Sequence, residues 1–418
     1  MSLDYTVKIN SEIGELEAVI LHKPGKEVEN MKPENANRAL YSDILNVEVA
    51  NHEYQQFSGA LNKITKTFQT KDLLSDILEK QEVKAQILSD ISRLELQEEL
   101  VESIQSLNSK KLSELLIEGV LMDKNTLTKF LNDDRYGLKP LYNFFFMRDA
   151  SMSIGDRVLI GKMANVVRQR EALIMDYIFR FHPLFNNRTY NPNLINQKAD
   201  EIKIEGGDVL VAREDILLIG MGLRTSAEAI DYLIEEFKQQ NKHQHIIVQE
   251  LPHHPESFIH LDMVFTLLDR DQCMVYAPLI LGLNQYKTIH IEVKDGQTKT
   301  IEVEDNIVVA LKKLGMDLEP IYCGGTQDQW IQDREQWHSG ANFFSFAPGK
   351  VIGYGRNSHT IEQMNKHGFD IITAKEVSEG KVNVGDYKKC VVTIEGSELA
   401  RGGGGARCMT MPVRRRDL

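Results

Sequence analysis

From about residue 141 to the C-terminus, short β-rich runs recur, with helical stretches between them. RVLIGKM, DVLVA, DILLIG, HIIVQEL, DMVFTLL, CMVYAPLIL, KVIGYG and KKCVVTI are the runs. VVRQREALIMDYIFRF and SAEAIDYLIEEFKQQ are two of the helical stretches. Such alternation restricts the chain to an α/β or α+β architecture. No exact repeat is present, but glycine-acid-strand units recur (GDRVLIG, GGDVLVAREDILLIG, GKVIGYG). That pattern is compatible with weak structural repeats, as in a propeller.

The segment at about 70–140 has a different texture. DLLSDILEKQ, KAQILSDISRLELQEELVESIQSL, KKLSELLIEGVL and NTLTKFLNDD place Leu and Ile at helical spacing, with charges between. Leu74, Ile77 and Leu78 form one such set; Ile87, Leu88 and Ile91 form another. Glycine and proline are absent there until Gly119. This predicts a compact helical bundle inserted between residues 1–69 and 141–418. The N-terminal part carries a strand-like LEAVILHKPG and a helix around 45–68.

With 418 residues, 42% of them hydrophobic, the chain can bury a sizeable core in more than one structural unit. A net charge of −12 argues against a nucleic-acid partner. Arg414, Arg415 and Arg416 form the one dense basic run and read as a solvated or ion-paired tail. No apolar run is long enough to cross a bilayer, and the N-terminus lacks the regions of a signal peptide. Cys273, Cys323, Cys390 and Cys408 are widely spaced, which disfavours a zinc ribbon or disulfide framework. A cytoplasmic protein with free thiols is expected.

Polar residues concentrate at a few places against apolar backgrounds. In LYNFFFMRDASMSIG, Arg148 and Asp149 follow a strongly apolar run. In IEGGDVLVA, Glu205 and Asp208 flank a Gly-Gly turn, close enough to set each other's pKa or to bind a cation. In HHPESFIHLDMVFTLL, strand alternation would place His260 and Asp262 on one face. An imidazole and a carboxylate so placed suit proton transfer or substrate binding. His253, His254, His260 and Asp262 match no trusted metal spacing, and no metal is expected.

The last concentration is RGGGGARCMTMP. Four consecutive glycines are entropically costly to order. They fit neither phosphate-binding pattern, and the chain ends too soon afterwards for the helix that would supply an anion site. A thiol on a bare loop beside Arg407 reads instead as a nucleophile, its thiolate favoured by neighbouring cations, a bound cationic substrate included. Cys273 and Cys390 sit in strand-like runs and read as core; Cys323 is open. Carboxylates near a thiolate raise its pKa, so they make sense if the substrate brings positive charge. A guanidinium does, and it pairs bidentately with carboxylates.

With these residues the chain resembles the arginine deiminases, within the guanidino-group modifying enzymes. The motifs run from SEIGELEAVILHKPG through FMRD (usually FTRD), EGGDVL, HLDMVFT (usually HLDTVFT) and REQW followed by GAN, to RGGGGARCMTMP. The resemblance implies a five-bladed pseudo-symmetric α/β propeller of ββαβ units with an inserted helical-bundle domain. It implies Cys408 as nucleophile, His260 as general acid/base, and Asp149 and Asp262 as holders of the guanidinium, with Glu205 assisting. Asn143 and Phe146 would line the substrate's aliphatic part and α-substituents. A strict strand period puts Phe145, rather than Phe146, on the face of Asp149, so an inward Phe146 requires a bulge. Arg168 and Arg224 would receive the α-carboxylate, Asp208 would lie near the α-amino group, and Arg401 would gate the site, with Arg407 an alternative gate. Among the departures, Met147 and Met263 replace threonines, His338-Ser339 replaces the usual acidic or amide pair, and YSDI (41–44) replaces FDDI.

The resemblance implies hydrolysis of L-arginine to L-citrulline and ammonia through an S-alkylthiouronium on Cys408, with no cofactor. The partner is the small-molecule substrate, and a homodimer or higher homo-oligomer is expected. Canavanine or a methylated arginine is the alternative substrate, and a catalytically silent arginine-binding protein is the alternative class.

Overall fold

The computed structural model describes residues 5–31, 41, 43–95, 98–185, 188–194 and 201–418. Ser42, in the YSDI stretch, lies outside them. No described helix is long and apolar enough to cross a membrane.

Five of the sheets share one pattern: an edge strand, an antiparallel neighbour, then a parallel strand reached through a helix. In the first, Ser151–Ile154 pairs antiparallel with Arg157–Ile160, which pairs parallel with Thr189–Tyr190; helix Gln169–Phe181 makes the crossover. In the second, Val209–Arg213, Ile216–Met221 and Gln244–Glu250 repeat this around helix Ala227–Gln239. The third uses Phe265–Leu267, Gln272–Val275 and Glu319–Tyr322, with helix Ile307–Lys313 between the last two. The fourth uses Phe344–Ala347, Lys350–Tyr354 and Cys390–Ile394, with helix Ser358–Lys366. The fifth joins the chain ends: Met411–Arg415 pairs antiparallel with Leu16–Leu21, which pairs parallel with Lys66–Gln69 after helix Val47–Ile64. Parallel pairing needs a long connection, and each crossover helix meets that need while covering its sheet.

The crossover helices start where short polar side chains can satisfy free backbone N–H groups. Asn46 accepts from Glu48 and Val49, and Ser226 accepts from Ala229. The second sheet is enlarged by the hairpin Thr288–Lys294 and Gln297–Glu304, which packs onto Gln244–Glu250.

Between the fifth and first sheets run Thr70–Leu78, Gln81–Glu95, Glu98–Ile104, Ser109–Glu118 and Leu127–Leu131. Leu74, Ile77, Leu78, Ile87, Leu88 and Ile91 are all buried, as the helical spacing predicts. They share one apolar cluster with Ile174, Met175 and Ile178 of the first crossover helix and with Ala18 and Ile20. The helical segment is therefore packed onto the sheets through a common core. A short two-stranded ribbon, Val120–Leu121 with Tyr136–Leu138, was not anticipated from the sequence.

Candidate active site

Each of the five edge strands is preceded by a tight turn, and these turns converge. Met147–Ala150 is a single helical turn before Ser151–Ile154. Gly206–Asp208 is a 3-10 turn before Val209–Arg213. Leu261–Met263 is a 3-10 turn before Phe265–Leu267. Ala341 and Asn342 lead into Phe344–Ala347, and Arg407 and Cys408 lead into Met411–Arg415.

Two expectations change here. FMRD and HLDM do not lie on strands, so alternation is not what gathers their side chains. His260 is extended and Asp262 lies in the following 3-10 turn. Likewise Phe146 precedes a helical turn and needs no bulge to reach the cavity. Local backbone turning overrides period-2 reasoning wherever a strand has not yet begun.

The glycine loop closes over this junction. Gly403 adopts φ +84°, where a side chain would be strained, and a Cβ on Gly405 would come within 2.6 Å of Asn342. The loop packs on Phe146, whose ring lies 4.1 Å, centroid to centroid, from that of Phe145. Below it a narrow cavity is lined by Asn143, Phe146, Asp149, Arg168, Arg224, Ile259, His260, the loop glycines and Cys408.

Cys408 is buried. Asn342 Nδ2 lies 3.2 Å from its Sγ, and Asp262 Oδ2 lies 3.7 Å away. Burial, then the charges of Asp262 and Asp149, push the thiol well above its ordinary pKa. Without a cation in the cavity the sulfur keeps its proton.

His260 places Nε2 3.0 Å from Glu205 Oε2 and Nδ1 3.6 Å from Asp149 Oδ1. Burial works against its charged form, but Asp149 and the Glu205 hydrogen bond more than offset this and raise it to about 9. The imidazole is therefore cationic at neutral pH. Glu205 is buried too, yet Arg224 and His260 hold its carboxyl well below the usual range. Its Oε1 accepts from the Ala164 backbone N–H at 3.0 Å, and Arg224 Nη1 approaches to 3.3 Å.

Asp149 accepts from Arg168 Nη1 at 2.7 Å. Arg168 also donates to Glu171 Oε2, through Nη2 at 2.8 Å and Nε at 3.0 Å. Burial raises Glu171 to about 7, against the pull of Arg168. Arg148, the sequence neighbour of Asp149, turns away and donates to Thr410 Oγ1 at 3.0 Å.

Asp262 accepts from Arg407 Nη1 at 2.8 Å, and Arg407 also forks onto Glu12 with both contacts at 3.0 Å. Burial raises Asp262, and Arg407 and His260 partly counter this. Glu12, buried but held by Arg407 and Arg148, is lowered to about 2. Arg407 is thus held on two sides by buried carboxylates. Arg401 is half-exposed and pairs with Asp43 at 2.7 Å, outside the cavity wall. Asp208 also stands behind the wall. It accepts from Thr225 Oγ1 at 2.6 Å and from the Leu261 N–H at 2.9 Å, so it holds the turn carrying His260 and Asp262; burial raises it to about 7.

Asn342, Glu171 and Glu12 were not singled out from the sequence. Asn342 lies in the GAN that follows REQW, Glu171 stands at helical spacing from Arg168, and Glu12 sits in SEIGE. Asp149, Glu205 and His260 lie close enough together to resemble a metal-ligand set. Arg168 and Arg224 already press two guanidinium cations against these carboxylates, which suits an organic cation better than a metal ion.

The family profile for arginine deiminase matches residues 37–415. The chain belongs to the arginine deiminase family. The arginine deiminase of Bacillus cereus (strain ATCC 10987 / NRS 248) is 32% identical over 435 aligned residues, covering 100% of both chains. That of Oenococcus oeni (strain ATCC BAA-331 / PSU-1) is 33% identical over 429, covering 99% of this chain and 98% of its own. Among solved structures, the N-terminal domain of ArgZ with bound product, an arginine dihydrolase from cyanobacteria, superposes with TM-score 0.52 at 13% identity, covering 95% of this chain and 97% of that one. The amidinotransferase SxtG from Microseira wollei gives 0.53 at 14%, covering 99% and 98%. At such identity these likenesses speak to the mixed α/β fold alone. Arginine deiminases are hydrolases acting on C–N bonds in linear amidines, and the buried Cys408, His260 and carboxylate set is a constellation suited to that chemistry.

Proposed function

We propose that this chain hydrolyses L-arginine to L-citrulline and ammonia, with Cys408 as nucleophile. The observation that carries this reading is a buried thiol flanked by Asp262 and Asp149 and accompanied by a cationic imidazole. Acids beside a thiol oppose its ionisation, so the site makes chemical sense only with a cationic substrate between them.

The substrate guanidinium binds between Asp149 and Asp262. Its charge cancels the carboxylate field that holds the proton on sulfur. Sulfur attacks the central guanidinium carbon, His260 gives its proton to the departing nitrogen and is left neutral, and the thiol proton leaves with that nitrogen, which departs as ammonium. The C–N bond breaks, and a cationic thiouronium remains on Cys408. Water, deprotonated through His260, then adds to the same carbon; the C–S bond breaks, and citrulline and the thiol are regenerated. Glu205 keeps His260 oriented.

Arg168 and Arg224 are taken to receive the α-carboxylate. Both pair with site carboxylates, Arg168 with Asp149 and Glu171 and Arg224 with Glu205. A zwitterionic substrate can exchange partners with them. Its guanidinium replaces Arg168 on Asp149, and its carboxylate takes the arginine so released. Agmatine lacks the carboxylate and leaves a freed guanidinium unpaired. Asn143 and Phe146 line the path between the two ends of the substrate, and Asp208 acts by supporting the His260 turn.

We read the five repeated units as blades of a pseudo-symmetric propeller, 1–69 and 141–418, with 70–140 an inserted helical domain. The edge strands and their converging turns support this reading.

The test is citrulline and ammonia release from L-arginine without added metal, with Cys408→Ala alongside and with agmatine and canavanine in parallel. Turnover of arginine that Cys408→Ala abolishes supports the reading. Turnover of canavanine alone would keep the chemistry and replace the substrate. Arginine binding with no turnover of any of the three would point to a binding protein.

A further inference from the structure

Far from the catalytic cavity, the second sheet carries a concentration of imidazoles that the reaction does not use. His245, on Gln244–Glu250, lies directly opposite Glu292, on Thr288–Lys294. Side chains of directly opposed antiparallel residues point to the same face. His290, two residues before Glu292, shares that face, as does His243, two residues before His245. The side chains do meet. His243 Nε2 lies 3.0 Å from Glu292 Oε1, His245 Nδ1 lies 3.0 Å from His290 Nε2, and the His243 and His245 ring centroids are 4.9 Å apart. His290 in turn points Nδ1 towards Glu304 Oε1 at 4.0 Å.

We propose that His243, His245 and Glu292 form a binding site for a borderline divalent transition-metal ion, of the class of zinc, that clamps the hairpin Thr288–Glu304 to the second sheet. One nitrogen from each histidine and one carboxylate oxygen all lie within 4.8 Å of one another. An ion about 2.0–2.2 Å from each donor holds its ligands roughly 3.3 Å apart, so small side-chain adjustments suffice. Two imidazoles and one carboxylate are the donor set that favours zinc, nickel or copper over magnesium or calcium. The site is partly open, with the His243 side chain 45% exposed, so an ion can enter and solvent can complete the coordination.

Around these ligands stands a second layer of the kind metal sites use. A ligating histidine commonly engages its other ring nitrogen with an acceptor, which sets the tautomer and the ring plane. Here His290 Nε2 lies 3.0 Å from His245 Nδ1, and Glu304 Oε1 lies 4.0 Å from the other nitrogen of His290. The cluster is separate from Cys408, His260 and Glu205, and the inference does not rest on the deiminase reading.

The experiment is a calorimetric titration of zinc into chelator-stripped full-length protein, with cobalt absorption spectra in parallel. Wild type is compared with the double variant His243→Ala/His245→Ala, with His290→Ala and with Cys408→Ala. Wild type and Cys408→Ala should each take one equivalent, and the cobalt spectrum should lack thiolate charge-transfer bands. The double variant should lose that equivalent while keeping its circular dichroism spectrum. His290→Ala should bind roughly 10- to 100-fold more weakly, as removal of an orienting partner does elsewhere. The proposal is overturned if wild type takes up no zinc, if the double variant binds as well as wild type, or if Cys408→Ala is the change that removes the ion.

Discussion

The side-chain amide of Asn342 joins the Cys408 thiol to the chain that carries Asp262. Nδ2 lies 3.2 Å from Sγ and 3.1 Å from the Asp262 carbonyl oxygen, while Oδ1 accepts from the Arg407 N–H at 2.9 Å. One residue of the fourth sheet thus fixes the nucleophile of the fifth against the carboxylate of the third. Asn342→Ala should leave the protein folded and lower kcat by roughly 10-fold or more, since a hydrogen bond to a charged group is worth about 1.5–3 kcal/mol. Steady-state kinetics with arginine, beside Cys408→Ala, gives the comparison. An unchanged kcat would mean the amide is a bystander.

Gly207 provides a steric test of the His260 position. A Cβ there would come within 2.3 Å of His260 Nδ1 and 2.5 Å of its Cγ. Gly207→Ala must therefore push the imidazole off Glu205 or off the cavity. A displacement of this size commonly costs on the order of 100-fold in rate. The expected result is a fall in kcat of that order with arginine binding weakened less; wild-type kinetics would show that the ring does not act from where it sits.

The elevated pKa of His260 has a signature in stability as well as in rate. Its folded value, about 9, exceeds the ordinary 6.5, so the folded state binds the proton more tightly than the unfolded chain does. The resulting stabilisation is fully present below about pH 6.5 and is lost as pH rises through about 9. The difference in thermal midpoint between wild type and His260→Asn should shrink across that window, and turnover should fall on its alkaline side. A difference that grows with pH would contradict the assignment.

Arg407 should matter for stability more than any arginine of the basic tail. Arg407→Met strands Glu12 and Asp262 as buried carboxylates, and removing one partner of a buried pair costs roughly 3–5 kcal/mol. Arg416→Ala removes exposed pairs to Glu15 and Glu17, expected to contribute about 0–1 kcal/mol. Denaturant unfolding of both variants measures the contrast, and equal losses would refute it.

Arg168 and Arg224 predict a pattern across substrates. Arg224→Gln should lower kcat for both substrates, because it removes the cation beside Glu205, but should raise KM for arginine far more than for agmatine, which has no carboxylate to lose. Arg168→Gln should impair both, because it also removes the cation that pairs with Asp149 and Glu171. Equal effects of Arg224→Gln on KM for the two substrates would remove it from carboxylate recognition.

Much of the architecture was legible before any coordinates. Burial periodicity marked the helices at 70–140, and the short β-rich runs coincide with real strands, because both patterns are set by which face meets the core. The convergence of Cys408, His260, Asp149 and Arg224 in one cavity could be inferred only through motif resemblance. No periodicity in the sequence reports that five edge strands point one way. The 3-10 turn at Leu261–Met263 escaped for a different reason: strand-like composition continues into it, and only three-dimensional crowding turns the backbone, whereas the Gly-Gly pair marked the turn at Gly206–Asp208 in advance. Motif matching also said nothing of the contacts that Asp208 and Arg401 make. The first is buried under Thr225 and the Leu261 N–H, and the second faces Asp43 outside the cavity.

The central claim is that Cys408 forms a covalent bond to the substrate's guanidinium carbon. Acid-quenched protein mixed with L-arginine, digested and analysed by mass spectrometry, tests it most directly. The account predicts that the peptide containing Cys408 gains the mass of arginine less ammonia during turnover, and loses it once arginine is exhausted. Citrulline formation at full rate by Cys408→Ala, with no adduct on any cysteine, would contradict it.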